Sequence, residues 1–324
     1  MMNKQRLWAR PLICLSICLG TMSCIPKNDH AQTIENCIAD LNDILHAEQG
    51  WIKVHAAEYL LWTGNGDAVK PVFLEEEKKY GHSIPYRIGI WRVLAQTASD
   101  STERTYWITK IANAFLDEQG PDRIHAVESM AKLQISPLSF SKTITEKAVS
   151  SKDENLSTYT KWSMAYYAAA NYKQTQQALL DNILHRQEYN LSPAQIRIMA
   201  FALKQMLQLG IRDSETMAQS ALHEKDTSAV KQDLLALAYS VSTFDVTAPL
   251  AVALYESLIR HYKTGGTREK ILILRALADN KIHNHTGQLL DFYHREKQPG
   301  DAGYNPDVHA AATYALLKSI NTNK

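Results

Sequence analysis

The chain has 324 residues, of which 45% are hydrophobic and 21% charged, with a formal charge of +1. That is the composition of a folded globular body. It lacks the basic excess of a nucleic-acid binder, and its four cysteines are too few for a disulfide scaffold.

Lys4, Arg6 and Arg10 stand before the apolar run "PLICLSICLGTM" at 11–22. The run is too short to cross a bilayer and has the length of a signal-peptide core. It leads into "TMSC" at 21–24, which resembles the bacterial lipobox, with Ser23 in the small position before Cys24 and Thr21 where Leu is usual. The resemblance implies a signal peptide at 1–23 and a lipid on Cys24. Ile25, standing where Asp would retain a lipoprotein, implies the outer membrane of a two-membrane bacterium. The membrane is then met through the lipid alone. An ordinary cleaved signal with an incidental cysteine is the other reading. Residues 24–30 are expected to form a polar tether. Its Lys27-Asn28-Asp29 is similar to the charged export signals of surface lipoproteins of the Bacteroidota. Loss of the three leader cations takes the charge from +1 to −2. Loss of Cys14 and Cys18, with lipid on Cys24, leaves Cys37 alone and excludes an intrachain disulfide.

From residue 31 to 324 the apolar residues recur at helical spacing, with breaks at Gly, Pro, Asn and Ser clusters. Helices of similar character are expected to start at Trp51, Pro85, Pro121, Asn155, Ser192, Ser228, Thr267 and Asn305, a period of about 36 residues. A second amphipathic segment follows most of them, as in "AVKPVFLEEEKKYG", "ERTYWITKIANAFLDEQG" and "APLAVALYESLIRHYK". "SPLSFSKTITEKAVS" at 136–150 is the least regular. One such pair cannot bury its apolar face alone, whereas stacked pairs can. "VHAAEYLL" at 54–61, "IHAVESMAKL" at 124–133 and "VHAAATYALL" at 308–317 resemble the first helix of HEAT-like repeats. The resemblance implies an all-α protein, a right-handed α-solenoid of about eight HEAT-like helix pairs.

A helix turns 100° per residue. Counted from each start as zero, offsets 3, 5, 6, 9 and 10 form an apolar stripe. In the first repeat it reads Val54, Ala56, Ala57, Leu60 and Leu61. Offsets 0, 4, 7 and 11 lie opposite and read Trp51, His55, Glu58, Trp62; then Pro85, Gly89, Arg92, Gln96; then Pro121, His125, Glu128, Lys132. Equivalent positions of neighbouring repeats lie about 10 Å apart, so Glu58, Arg92 and Glu128 are expected to form a ladder of alternating charge. Lys53, Arg87 and Arg123 repeat a cation at offset 2, and Trp51, Tyr86 and Trp91 add aromatic surface. Later repeats carry Trp162, Met199, Leu235, Leu274 and Ala312 at offset 7.

Two readings follow. The ladder is an inter-repeat salt-bridge network, or Trp51, His55, Glu58, Tyr86, Arg87, Trp91, Arg92, Arg123, His125 and Glu128 line a ligand site on the N-terminal repeats. A metal shared by the two His–Glu pairs is disfavoured, because ligands one repeat to either side do not reach a common ion about 2 Å from each. No metal and no cofactor are expected. His283 and His285 lie in an expected loop and are read as solvated. "YKTGGTREK" lacks the preceding strand and spacing of a phosphate loop, and G-x-S-x-G, H-E-x-x-H and paired-cysteine motifs are absent. The expected function is a lipid-anchored interaction module for an envelope protein or glycan. The alternative is an all-helical glycan hydrolase or lyase using the His/Glu/Arg cluster. A closed pocket would favour catalysis, and an open groove would favour binding.

Overall fold

The structure, a computed structural model, describes residues 27–206, 214–243, 248–280, 284–297 and 303–322. The whole of the expected leader, with the lipobox and Cys24, lies outside these residues, as does His283.

Among the described residues there are sixteen α-helices and no strand. They are α1 (Lys27–Ala47), α2 (Gly50–Trp62), α3 (Val69–Tyr80), α4 (Tyr86–Thr97), α5 (Ser101–Leu116), α6 (Arg123–Lys132), α7 (Lys142–Val149), α8 (Glu154–Met164), α9 (Ala169–Leu184), α10 (Pro193–Met206), α11 (Ser214–His223), α12 (Lys231–Val241), α13 (Pro249–Thr264), α14 (Thr267–Asp279), α15 (Thr286–Glu296) and α16 (Pro306–Thr322). Short 3-10 turns at Pro137–Ser139 and Ala165–Tyr167 interrupt the series. Lys27–His30, expected in the tether, form the first turn of α1.

Local chemistry explains several boundaries. Asp100 caps α5 by accepting from the Glu103 backbone N–H at 2.9 Å, while Glu103 Oε2 accepts from Ser99 N at 2.8 Å. This reciprocal capping satisfies one orphan donor at the helix start and the Ser99 N–H just before the cap. Ser141 caps α7 and Asp153 caps α8 in the same way, and Pro249 opens α13, where its missing N–H costs nothing. The irregular segment at 136–150 resolves into a 3-10 turn and the short α7.

The apolar stripe of the first repeats is the core. Val54, Ala56, Ala57 and Leu60 are fully buried, as are Ile88, Ile90, Leu94, Ala126, Val127, Met130 and Ala131. The small residues let helices approach closely. Gly89 is the extreme case, since a Cβ there would come within 2.9 Å of the Trp51 ring and 3.0 Å of Val54.

The even-numbered helices touch in sequence, α2 to α4, α6, α8, α10, α12, α14 and α16, and the odd-numbered helices pack outside them. The series does not end freely. α16 packs on α2, and α1 packs on both. Tyr59 of α2 stacks on Tyr314 of α16 at 4.5 Å, and His55 Nδ1 lies 2.8 Å from Asp307 Oδ1. On the outer side Asp40 of α1 accepts from Tyr293 at 2.6 Å and pairs with Lys297 at 2.9 Å and His309 at 3.4 Å. The sequence reading, a right-handed solenoid of about eight helix pairs, did not foresee the contact of α16 with α2 that joins the ends of the series. α1 is the outer helix that α16 would otherwise lack, and it covers the join between the last and first inner helices.

Candidate functional site

The inner helices of the middle and later chain enclose a cavity of about 650 Å³, lined by residues of α6, α8, α10, α12 and α14. This lies within the range of small-molecule sites. Five cations line it, Lys132, Arg197, Lys204, Arg268 and Arg275, against two carboxylates, Glu128 and Asp233. The excess is three positive charges. Ile124, Ile198, Leu237, Ile271, Leu272 and Phe201 supply apolar wall.

The cations differ in how far they are matched. Lys132 pairs with Glu128 at 2.7 Å and lies over the Phe201 ring at 5.4 Å. Lys204 meets Asp279 at 2.8 Å, and Lys318 binds the same carboxylate. Arg268 donates to Asp233 Oδ1. Arg197 reaches the Ala229 carbonyl at 3.1 Å, but its Nε stands 3.8 Å from Asp233 Oδ2, and neither buried atom has a hydrogen-bond partner. That separation is too long for a hydrogen bond.

Arg275 is the outlier. Its guanidinium lies between two aromatic rings, 5.4 Å from Trp62 and 5.6 Å from Phe201. Its Nε is buried without a partner, and among the described residues it makes no hydrogen bond or ion pair. Leaving that buried N–H unpaired costs about 1–3 kcal/mol, although the residue as a whole is half-buried; burial works against its charge, and Tyr59, Asp279, Tyr314 and Glu58 outweigh it. The rings offset part of that cost by cation–π attraction.

Proton affinities follow this geometry. Burial pulls Lys204 down to about 8, against the attraction of Asp279. Burial likewise lowers Lys132 despite Glu128. Burial works against ionisation of Glu128, yet Lys132, His125 and Arg92 outweigh it and hold the carboxyl well below its usual range. For Asp233 burial wins over Arg268 and Arg197, and the carboxyl is pushed up. Burial, then Glu128, raises the Tyr159 phenol, so it stays protonated.

The ten residues expected to form one polar surface are divided among four places. His125 and Glu128 line the cavity. Trp51 stacks on His125 at 5.6 Å, passing over the bare Cα of Gly89. His55 is turned to the join with α16. Glu58 and Arg92 are buried in a bidentate pair, Nε to Oε1 at 2.7 Å and Nη2 to Oε2 at 3.1 Å, with Ser129 and Gln96 completing it. They touch each other rather than solvent. Tyr86, Arg87, Trp91 and Arg123 face the outer layer. Tyr86 donates to Glu76 at 2.7 Å, Arg87 binds Asp122, Trp91 donates to Glu77 at 3.1 Å, and Arg123 donates to the Phe115 carbonyl at 3.0 Å. The third histidine of the repeated motif, His309, is buried against Asp40 and is not equivalent to the other two. His285, read as solvated, is half-buried, stacks on Tyr255 at 5.3 Å and bonds the Tyr239 hydroxyl at 2.5 Å.

The sequence reading did not single out Lys132, Tyr159, Arg197, Phe201, Lys204, Asp233, Arg268 or Arg275 as site residues. Among the described residues no group of three or more His, Cys, Asp or Glu side chains is placed to hold a metal ion, and no helix is long and apolar enough to cross a membrane. The chain matches no family model, and comparison with curated proteins and with solved structures returns no match.

Proposed function

We propose that this protein is a binding module whose cavity receives a ligand carrying an anionic group. The observation that carries the reading is Arg275, a half-buried guanidinium on the cavity wall with two aromatic neighbours, a buried Nε without a partner and no ion pair among the described residues. An anion completes its hydrogen bonds and offsets the excess charge around it. The reading places the eight inner helices and their outer partners as HEAT-like pairs, closed by α1. Envelope anchoring through Cys24 belongs to the same proposal. Loss of palmitate labelling in Cys24→Ser supports it, and retained labelling contradicts it. An envelope protein or glycan meets this site only through an anionic group small enough to enter.

The test is a calorimetric panel of organic carboxylates and phosphates against the protein and against Arg275→Gln. A ligand that binds the parent chain and loses at least tenfold in the variant supports the site, since a charged hydrogen bond contributes about 1.5–3 kcal/mol. Binding unaffected by the change, or no binding by any anion, refutes it.

A second reading rests on the two carboxyl groups. Glu128 is held ionised and Asp233 is pushed towards its protonated form in one cavity. Such divergence is the pattern of paired acid and base groups in glycan cleavage. Asp233→Asn should abolish any hydrolase or lyase activity found on acidic glycans, and unaltered activity excludes this role.

A further inference from the structure

The α10 and α14 walls of the cavity have polar ends and an apolar middle, while α6 brings the Glu128–Lys132 pair alongside, with Lys132 over the Phe201 ring. Arg197 and Lys204 lie seven residues apart on α10, and Arg268 and Arg275 lie seven apart on α14. At 1.5 Å per residue each pair spans roughly 10 Å. One end therefore holds Arg197, Arg268 and the Asp233 carboxylate between them, and the other holds Lys204 and Arg275. Between the ends stand Ile198, Phe201, Leu237, Ile271 and Leu272.

This wall is poor in neutral hydrogen-bonding side chains. His125, Asn155 and Tyr159 are the ones that line it, and Tyr159 stands beside Glu128. A sugar carries a hydroxyl on nearly every carbon, and each hydroxyl buried here without a partner would cost about 1–3 kcal/mol. An alkyl chain has no such requirement and gains from leaving water.

We infer that the ligand is a medium-chain alkyl carboxylate, its head on Arg275 and its chain along the apolar wall towards Arg197 and Asp233. This rests on the proposed anion-binding reading and names its ligand class. An extended chain advances roughly 1.25 Å per carbon, given C–C bonds of about 1.52 Å. The roughly 10 Å band between the ends then takes about eight carbons beyond the head. Shorter chains leave apolar wall in water, and longer ones meet the charged end.

The experiment is calorimetry with hexanoate, octanoate, decanoate and tetradecanoate, with decanol and with glucuronate, on the protein and on Arg275→Gln. Affinity should rise about fourfold per added methylene up to decanoate and level off at tetradecanoate. Decanol should bind at least tenfold more weakly than decanoate, and Arg275→Gln should erase that difference. If the variant does not fold, the decanoate–decanol comparison in the parent chain still decides. Affinity that climbs through tetradecanoate without regard to the head is nonspecific partition and overturns the inference. Glucuronate binding through Arg275 without decanoate binding overturns the alkyl ligand but leaves the anion site standing. Binding by neither anion overturns both.

Discussion

The ring of Trp51 lies on the imidazole of His125, 5.6 Å between centroids, although α3, α4 and α5 separate their helices in sequence. Gly89 makes this possible, because a side chain at that position would occupy the path of the indole. Gly89→Ala gains about 1 kcal/mol of helix propensity and displaces the far edge of one ring, so it should change stability little. Gly89→Leu should cost about 1–3 kcal/mol by overpacking. Denaturant titration of the two variants separates the effects.

Glu58 and Arg92 are matched to each other and nearly inaccessible, with side-chain exposures of 5% and 3%. Glu58→Leu strands the guanidinium and should destabilise by about 3–5 kcal/mol. Joined to Arg92→Met, the same change should return most of that loss. Chemical unfolding of the single and double variants measures the coupling. Equal losses in both would show that the pair contributes through something other than its charges.

Lys204 gives the cavity a pH dependence. Its ammonium is depressed to about 8, so it is cationic below that value and neutral above it. Affinity for an anion should therefore fall as pH rises through about 8. Stability moves the other way. The unfolded chain binds the extra proton between about 8 and the ordinary lysine value, so the cost of burying the Lys204 charge is relieved as pH rises across that window. Lys204→Met should flatten both profiles.

Asp40 ties α1 to α15 and α16. Burial alone would raise its carboxyl, but the neighbouring His309, the Tyr293 hydroxyl and Lys297 hold it down to about 2. Its contribution is present above the ordinary aspartate range and is lost as pH falls from about 4 towards 2. Asp40→Asn should cost about 1–2 kcal/mol at neutral pH, after discounting for its partial solvation. The acid limb of a stability–pH curve should be shallower in the variant.

Helix positions and the buried stripe were legible because the apolar period survives without knowledge of neighbours. The helices expected from Trp51, Thr267 and Asn305 begin at Gly50, Thr267 and Pro306. The cavity was obscured by the frame in which the faces were counted: α14 begins at the expected Thr267, yet its inner face reads one residue further on. Counted from Pro193, Ala229 and Arg268 rather than from Ser192, Ser228 and Thr267, offset 4 reads Arg197, Asp233, Leu272; offset 7 reads Ala200, Ala236, Arg275; and offset 11 reads Lys204, Ser240, Asp279. These continue the face of His125, Glu128 and Lys132. One residue is 100° of rotation, enough to exchange an inner charge for a core Leu or Met. The polar face thus does not stop after the third repeat. Closure by α1 had no sequence signal, because it depends on contacts between residues some 250 positions apart, such as Asp40 with Tyr293 and His55 with Asp307.

A crystal structure grown with decanoate, or with glucuronate if that binds more tightly, tests the central claim most directly. The ligand should lie in the cavity among α6, α10 and α14, with its carboxylate within 3.2 Å of the Arg275 guanidinium. A ligand bound outside the cavity, or inside it with Arg275 still unpaired, would contradict the assignment of this cavity as an anion site.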